Sequence, residues 1–237
     1  MKLGILICDR VKPELREEFG DYPQMFNDLL SEMTTAYEVA FYFALDGELP
    51  EHPDDCDAYL TSGSKFSVNE PFDWIEQLML FIRQLDEAKK PLVGICFGHQ
   101  LIAKALGGRV EKSSKGWGLG AASSQVCHRQ GWMRPYREEL NLFISHQEQV
   151  VRLPANAQTI MGSAFCPISM LQIGQHFLGM QGHPEFTSGY TLALMNLRQP
   201  QLSESEFLNG KASLDLDVDR ITILKWIHNF IRLNKRQ

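Results

Sequence analysis

The chain has 237 residues, 44% of them hydrophobic and 22% charged. That balance suits one globular α/β domain over residues 1–237 and excludes a disordered chain, which would be poorer in apolar residues. Lys and Arg number 23 against 29 Asp and Glu, a net charge of −6, which argues against a nucleic-acid partner because phosphate binding rests on Lys and Arg.

No apolar run approaches the roughly 20 residues that span a bilayer. The short apolar run at the N-terminus is cut by Asp9 and reads as a strand rather than a leader. The five cysteines, Cys8, Cys56, Cys96, Cys127 and Cys166, show no C-x-x-C and no regular spacing. They make a poor disulfide framework and a poor zinc site. The expectation is a reduced, cytoplasmic protein with no metal, no cofactor and no membrane partner.

In chain order, residues 3–8 read as a buried strand. Residues 24–33 read as a helix, with Met25, Phe26, Leu29, Leu30 and Met33 at helical spacing. Residues 38–44 and Ala58–Thr61 are strands, the second ending at Ser62-Gly63. Residues 72–88 form a strong helix with Pro71 at its first turn. Residues 91–95 are a strand and 99–106 a helix stopped by Gly107-Gly108. This alternation predicts a three-layer α/β/α arrangement around a mostly parallel central sheet. Residues 121–128, 142–145, 158–162 and 168–173 are short strand-like pieces, read as antiparallel additions to the sheet. Residues 176–181 are a further strand, 188–197 and 219–233 are helices, and the polar stretch 196–211 is expected to be a loop.

The stretch Gly94-Ile95-Cys96-Phe97-Gly98 has the form of a nucleophile elbow. A cysteine at a sharp strand-to-helix turn stands clear of the sheet, and flanking glycines remove side chains where backbone crowds backbone. The following helix points its N-terminal amides at the sulfur, favouring thiolate. The amide of Phe97 becomes a natural oxyanion donor. An isolated cysteine is more often a buried, inert hydrophobe, and that reading stands for the other four. A cysteine nucleophile needs a base and an orienting group. Among seven histidines, His183 follows a predicted strand end, and Glu185 lies close enough to hold its tautomer.

Together, Gly94-Ile95-Cys96-Phe97-Gly98-His99-Gln100 and Gly179-Met180-Gln181-Gly182-His183-Pro184-Glu185 resemble the paired motifs of class I (triad) glutamine amidotransferases. The resemblance covers essentially the whole chain and points to the stand-alone group similar to the amidotransferase part of GMP synthase. It implies a flavodoxin-like fold. It also implies a Cys96–His183–Glu185 triad, an oxyanion hole of the Gly63 and Phe97 amides, and a glutamine substrate held by Gln100 and the segment Ser145-His146-Gln147. Two positions depart from the family pattern: Lys65 replaces a small residue near the substrate mouth, and Gln147-Glu148 is bulkier and more acidic than usual. Glu148 either meets the substrate's ammonium or is a solvated loop charge.

No phosphate loop or other nucleotide-binding loop is visible. Three readings follow. One is a glutaminase feeding ammonia to a separate synthetase subunit. Another is a γ-glutamyl peptidase or hydrolase using the same triad. The third is a non-catalytic binding or regulatory member, against which the intact triad counts.

Overall fold

A computed structural model describes residues 1–33 and 35–234. The first half of the chain runs β1 (Lys2–Leu6), α1 (Pro13–Phe19), α2 (Tyr22–Ser31), β2 (Glu38–Tyr42), β3 (Ala58–Thr61), α3 (Asp73–Glu87), β4 (Leu92–Ile95) and α4 (Phe97–Ala105). Then follow β5 (Arg109–Lys112), β6 (Gly118–Val126), β7 (Glu139–His146), β8 (Glu148–Arg152), β9 (Ala157–Gly162), β10 (Met170–Ile173) and β11 (Phe177–Met180). Three helices close the described chain: α5 (Ser188–Arg198), α6 (Glu204–Ser213) and α7 (Arg220–Asn234).

A nine-stranded sheet has the order β2-β1-β3-β4-β11-β10-β9-β6-β7. The strands from β2 to β11 pair in parallel, and the wing from β10 to β7 is antiparallel. This is the predicted parallel centre with antiparallel additions.

Alternation along each central strand divides the core. Leu3 and Ile5, Ala58 and Leu60, Val93 and Ile95, and Leu178 and Met180 enter one cluster, where Phe26 of α2, Leu194 of α5 and Trp226 of α7 meet them. Their neighbours Leu6, Tyr59, Leu92 and Phe177 enter a second cluster with Ile75 and Ile82 of α3 and Leu101 and Ile102 of α4. A strand whose alternate residues are all buried needs a helical layer on each face, hence the three layers.

Several boundaries depart from the sequence expectation. The helix expected at 24–33 starts at Tyr22, because the Asp21 carboxylate accepts from the Tyr22 amide and also ties down the Val11 amide. The short helix α1 and the two-stranded pair β5–β8 were not anticipated. The largest correction concerns 196–211, expected as a loop. There α5 runs on to Arg198 and α6 follows.

A capping box explains α6. The Ser203 hydroxyl accepts from the Glu206 amide, and the Glu206 carboxylate accepts from the Ser203 amide at 2.8 Å. The other Glu206 oxygen accepts from the Trp117 amide at 2.7 Å, which anchors the helix to β6. The signal Ser203-x-x-Glu206 is present in the sequence. The helix carries so little apolar periodicity that tertiary anchoring, rather than an amphipathic face, holds it in place. Among the described residues no helix is long and apolar enough to cross a membrane.

Candidate active site at the strand ends

The C-terminal ends of three adjacent parallel strands, β3, β4 and β11, converge on one point. At the end of β4, Cys96 adopts φ +50° and ψ −98° immediately before α4. A non-glycine residue at positive φ is strained, and here the surrounding packing enforces it. A Cβ on Gly94 would lie 2.6 Å from the Gly98 backbone, and one on Gly98 would lie 1.5 Å from Thr61 Oγ1. Both glycines of the elbow are therefore demanded by close approach. The Cys96 amide donates to Met180 O at 2.8 Å, so the turn stays tied to β11.

His183 lies just past β11, where its amide donates to Phe143 O of β7 at 2.8 Å. Its ring stacks on Phe186, with centroids 3.9 Å apart and planes 9° from parallel. Nδ1 meets Glu185 Oε1 at 2.7 Å, and both residues are buried. The other carboxylate oxygen, Oε2, has no protein partner. Burial opposes the imidazolium, but the Glu185 carboxylate and then the Cys96 sulfur beside the ring outweigh it. They raise the His183 pKa from 6.5 to about 10, so the ring holds its proton at neutral pH. The other histidines near the elbow behave differently. Burial lowers His99 to about 3 and His146 to about 4, which leaves both neutral.

Gly63 ends the third side of the site. A Cβ there would come within 2.7 Å of His183 Cε1 and 3.6 Å of Cys96 Cβ. Among the described residues its amide and that of Phe97 donate to no backbone carbonyl in a turn, loop or cap. The Phe97 amide is also the first of α4, where a helix leaves its donors unpaired. The two residues expected to form the oxyanion hole thus lie next to Cys96, Gly63 in space and Phe97 in sequence.

A cleft of about 510 Å³ opens beside Cys96 and is bordered by Gln100, Ser145, His146, Gln147 and Glu148. The sequence-predicted substrate segment is therefore brought to the nucleophile. The Gln100 amide donates to Glu148 O at 2.8 Å and to Gln181 Oε1 at 3.1 Å. Ser145 accepts from Arg198 through its carbonyl and hydroxyl oxygens. His146 Nδ1 donates to Glu148 O at 2.9 Å, which leaves a bare and unpartnered Nε2. The Glu148 carboxylate accepts from the Ser67 hydroxyl and has no cationic partner among the described residues.

Three features escaped the sequence reading. Gln181, within the quoted motif but given no role, donates to Cys96 Sγ at 3.4 Å and is itself held by Gln100. Lys65 is clamped by buried Asp9, which takes its ammonium at 2.8 Å and its amide at 2.7 Å. Arg198 reaches the site from the last turn of α5, a position no local motif announces.

Residues 31–195 match the model of the glutamine amidotransferase class-I family. Gamma-glutamyl peptidase 3 of Arabidopsis thaliana is 29% identical to this chain, over 97% of this chain and 95% of its own length. Gamma-glutamyl peptidase 4 of the same plant is 33% identical, over 92% and 90%. In fold, the chain is similar to a glutamine amidotransferase from Thermotoga maritima, with a TM-score of 0.74 over 99% of this chain and 97% of that one at 18% identity. The nucleophile turn, the histidine–carboxylate pair and the matched span agree: this chain belongs to the class I glutamine amidotransferases.

Proposed function

We propose that the chain hydrolyses γ-glutamyl amide bonds as a γ-glutamyl peptidase, with Cys96 as nucleophile, His183 as general acid and base, and Glu185 as its orienting carboxylate. The observation that carries the reading is the buried His183–Glu185 pair, 2.7 Å apart, set beside the elbow cysteine Cys96. Cys96 thiolate attacks the γ-carbonyl carbon, and the carbonyl electron pair moves onto oxygen between the Gly63 and Phe97 amides. Donors of this type are worth about 10²–10³ in rate. The C–N bond then breaks as His183 Nε2 gives its proton to the departing nitrogen, leaving a γ-glutamyl thioester. Water loses a proton to His183 Nε2 and attacks the thioester. Glutamate leaves and the Cys96 thiolate returns.

The γ-glutamyl head group fits the cleft side of the nucleophile. The unpaired Glu148 carboxylate faces an α-ammonium. Lys112, its register partner across the β5–β8 pair and a residue of the same cleft, faces an α-carboxylate. Gln100, Ser145 and Gln147 complete the polar lining.

One support favours a peptidase over a glutaminase that feeds ammonia to a separate synthetase: the similarity to two γ-glutamyl peptidases along nearly the whole chain. Steady-state rates on γ-glutamyl dipeptides and on glutamine decide the matter. Dipeptide turnover by the purified chain supports the peptidase. Glutamine turnover that appears only with a partner fraction refutes it. Intact-mass labelling by a glutamine-like diazoketone is expected at Cys96 alone and lost in Cys96→Ser. Labelling elsewhere overturns the assignment of the nucleophile.

A further inference from the structure

Cys96 stands on a seam between two cavities. The larger is the cleft just described. The second is a recess of about 30 Å³ bordered by His183, Phe186, Tyr22 and Tyr190, room for about two water molecules or one carboxylate. Lys65, Ser145 and Arg198 border both cavities. Gln100 and Glu148 border only the cleft, and His183 borders only the recess. The departing nitrogen must take its proton from His183, so the leaving group lies on the recess side.

That side is strongly cationic. Arg10, Lys12, Lys65 and Arg198 border it against a single carboxylate, Asp9. Arg10 is neutralised by Asp46, and Lys65 by Asp9 at 2.8 Å. Lys12 and Arg198 have no carboxylate partner among the described residues. Arg198 is also held in orientation. Nη1 donates to Ser145, and the guanidinium lies 5.1 Å from the Trp117 ring centroid. Among the described residues Nε and Nη2 make no hydrogen bond, which leaves two parallel donors free. Such a fixed guanidinium edge matches a carboxylate in bidentate geometry. The buried tyrosines Tyr22 and Tyr190 add neutral hydroxyls, since burial raises both well above the ordinary phenol range.

Ammonia leaving from free glutamine would use none of this machinery. An amino acid leaving through its own amine carries a carboxylate one or more bonds further on. We propose that the recess is a leaving-group subsite in which Arg198, assisted by Lys12, binds the carboxylate of the departing residue, so that the substrate is a γ-glutamyl amino acid or peptide with a free C-terminus. This rests on the reading of the chain as a γ-glutamyl peptidase.

The test compares γ-glutamylglycine with γ-glutamylethylamide, which keeps the same scissile bond and replaces the carboxylate by a methyl group. The readout is the ratio of kcat/KM for the acid to that for the amide, in the wild type, Arg198→Met and Lys12→Met. The ratio cancels any general disturbance of Ser145 when Arg198 is changed. The wild type is expected to prefer the acid. The ratio should fall roughly 10- to 100-fold in Arg198→Met, the range of a hydrogen bond to a charged group, and less in Lys12→Met. Turnover of both compounds with the same ratio in all three proteins overturns the subsite and leaves the peptidase reading intact. A wild type labelled at Cys96 that turns over glutamine and neither γ-glutamyl compound overturns the peptidase reading and the subsite with it.

Discussion

Replacing Glu185 by Gln tests the electrostatics of the site most directly. His183 is 3% exposed, so little solvent screens its pair. Its pKa stands at about 10 against an ordinary 6.5. At about 1.4 kcal/mol per pH unit, the protonated ring is favoured by about 5 kcal/mol relative to a free imidazole. The largest raising influence is the Glu185 carboxylate. Removing it leaves burial, which acts the other way, opposed by the Cys96 sulfur alone. The alkaline limb of kcat/KM should therefore lie near pH 10 in the wild type and move to lower pH in Glu185→Gln.

Stability follows the same sign. The folded pKa is raised, so the stabilisation is complete below pH 6.5 and is lost as pH climbs towards about 10. Resistance of the wild type to denaturant should weaken across that window, and that of Glu185→Gln should weaken less. A pH–rate profile with the same alkaline limb in both proteins would refute the assignment of Glu185 as the source of the His183 proton affinity.

Gly98→Ala drives a Cβ to 1.5 Å from Thr61 Oγ1. It should cost about 3 kcal/mol or more, read as a midpoint shift in urea, and Thr61→Ala in the same chain should restore part of it. Ser203→Ala removes half of the capping box and should cost about 1 kcal/mol, lowering Tm by about 2–4 °C; an unchanged Tm would mean that α6 is held by its contacts with β6 and the Trp117 amide. Gln181→Leu takes a donor from the Cys96 sulfur and should lower kcat/KM about tenfold, with Tm nearly unmoved. Equal kcat/KM would relegate Gln181 to packing.

The parts of the molecule legible in the sequence are those whose cause is local. A run such as residues 91–95 must be a strand buried on both faces, and glycines two residues either side of a cysteine have few other uses than a tight turn. His183 and Glu185 were legible because a two-residue spacing places them together without any knowledge of the fold. Residues 196–211 were missed because α6 is stabilised by what it touches: Glu206 on the Trp117 amide, and Gly210 pressed against β6, where a Cβ on Gly120 would lie 2.2 Å from Gly210 O. Arg198, Lys12 and Tyr22 come from three separate helices or their caps. Their convergence beside His183 is a product of topology that no window of sequence contains.

The bond from the Cys96 amide to Met180 O continues the hydrogen-bonded ladder of β4 and β11, in which Ile95 lies opposite Met180. The nucleophile thus follows the last rung of this ladder directly, and the base follows it three residues past Met180. A slip of one residue between these two strands would displace His183 by about 3.3 Å and turn its neighbours to the opposite face. Chains that are compact but mispaired at the centre of the sheet would be inert, so turnover per molecule counts correctly registered sheets. Lengthening or shortening the chain is expected to be tolerated at the rim of the antiparallel wing and to abolish turnover when it falls within either of these two strands.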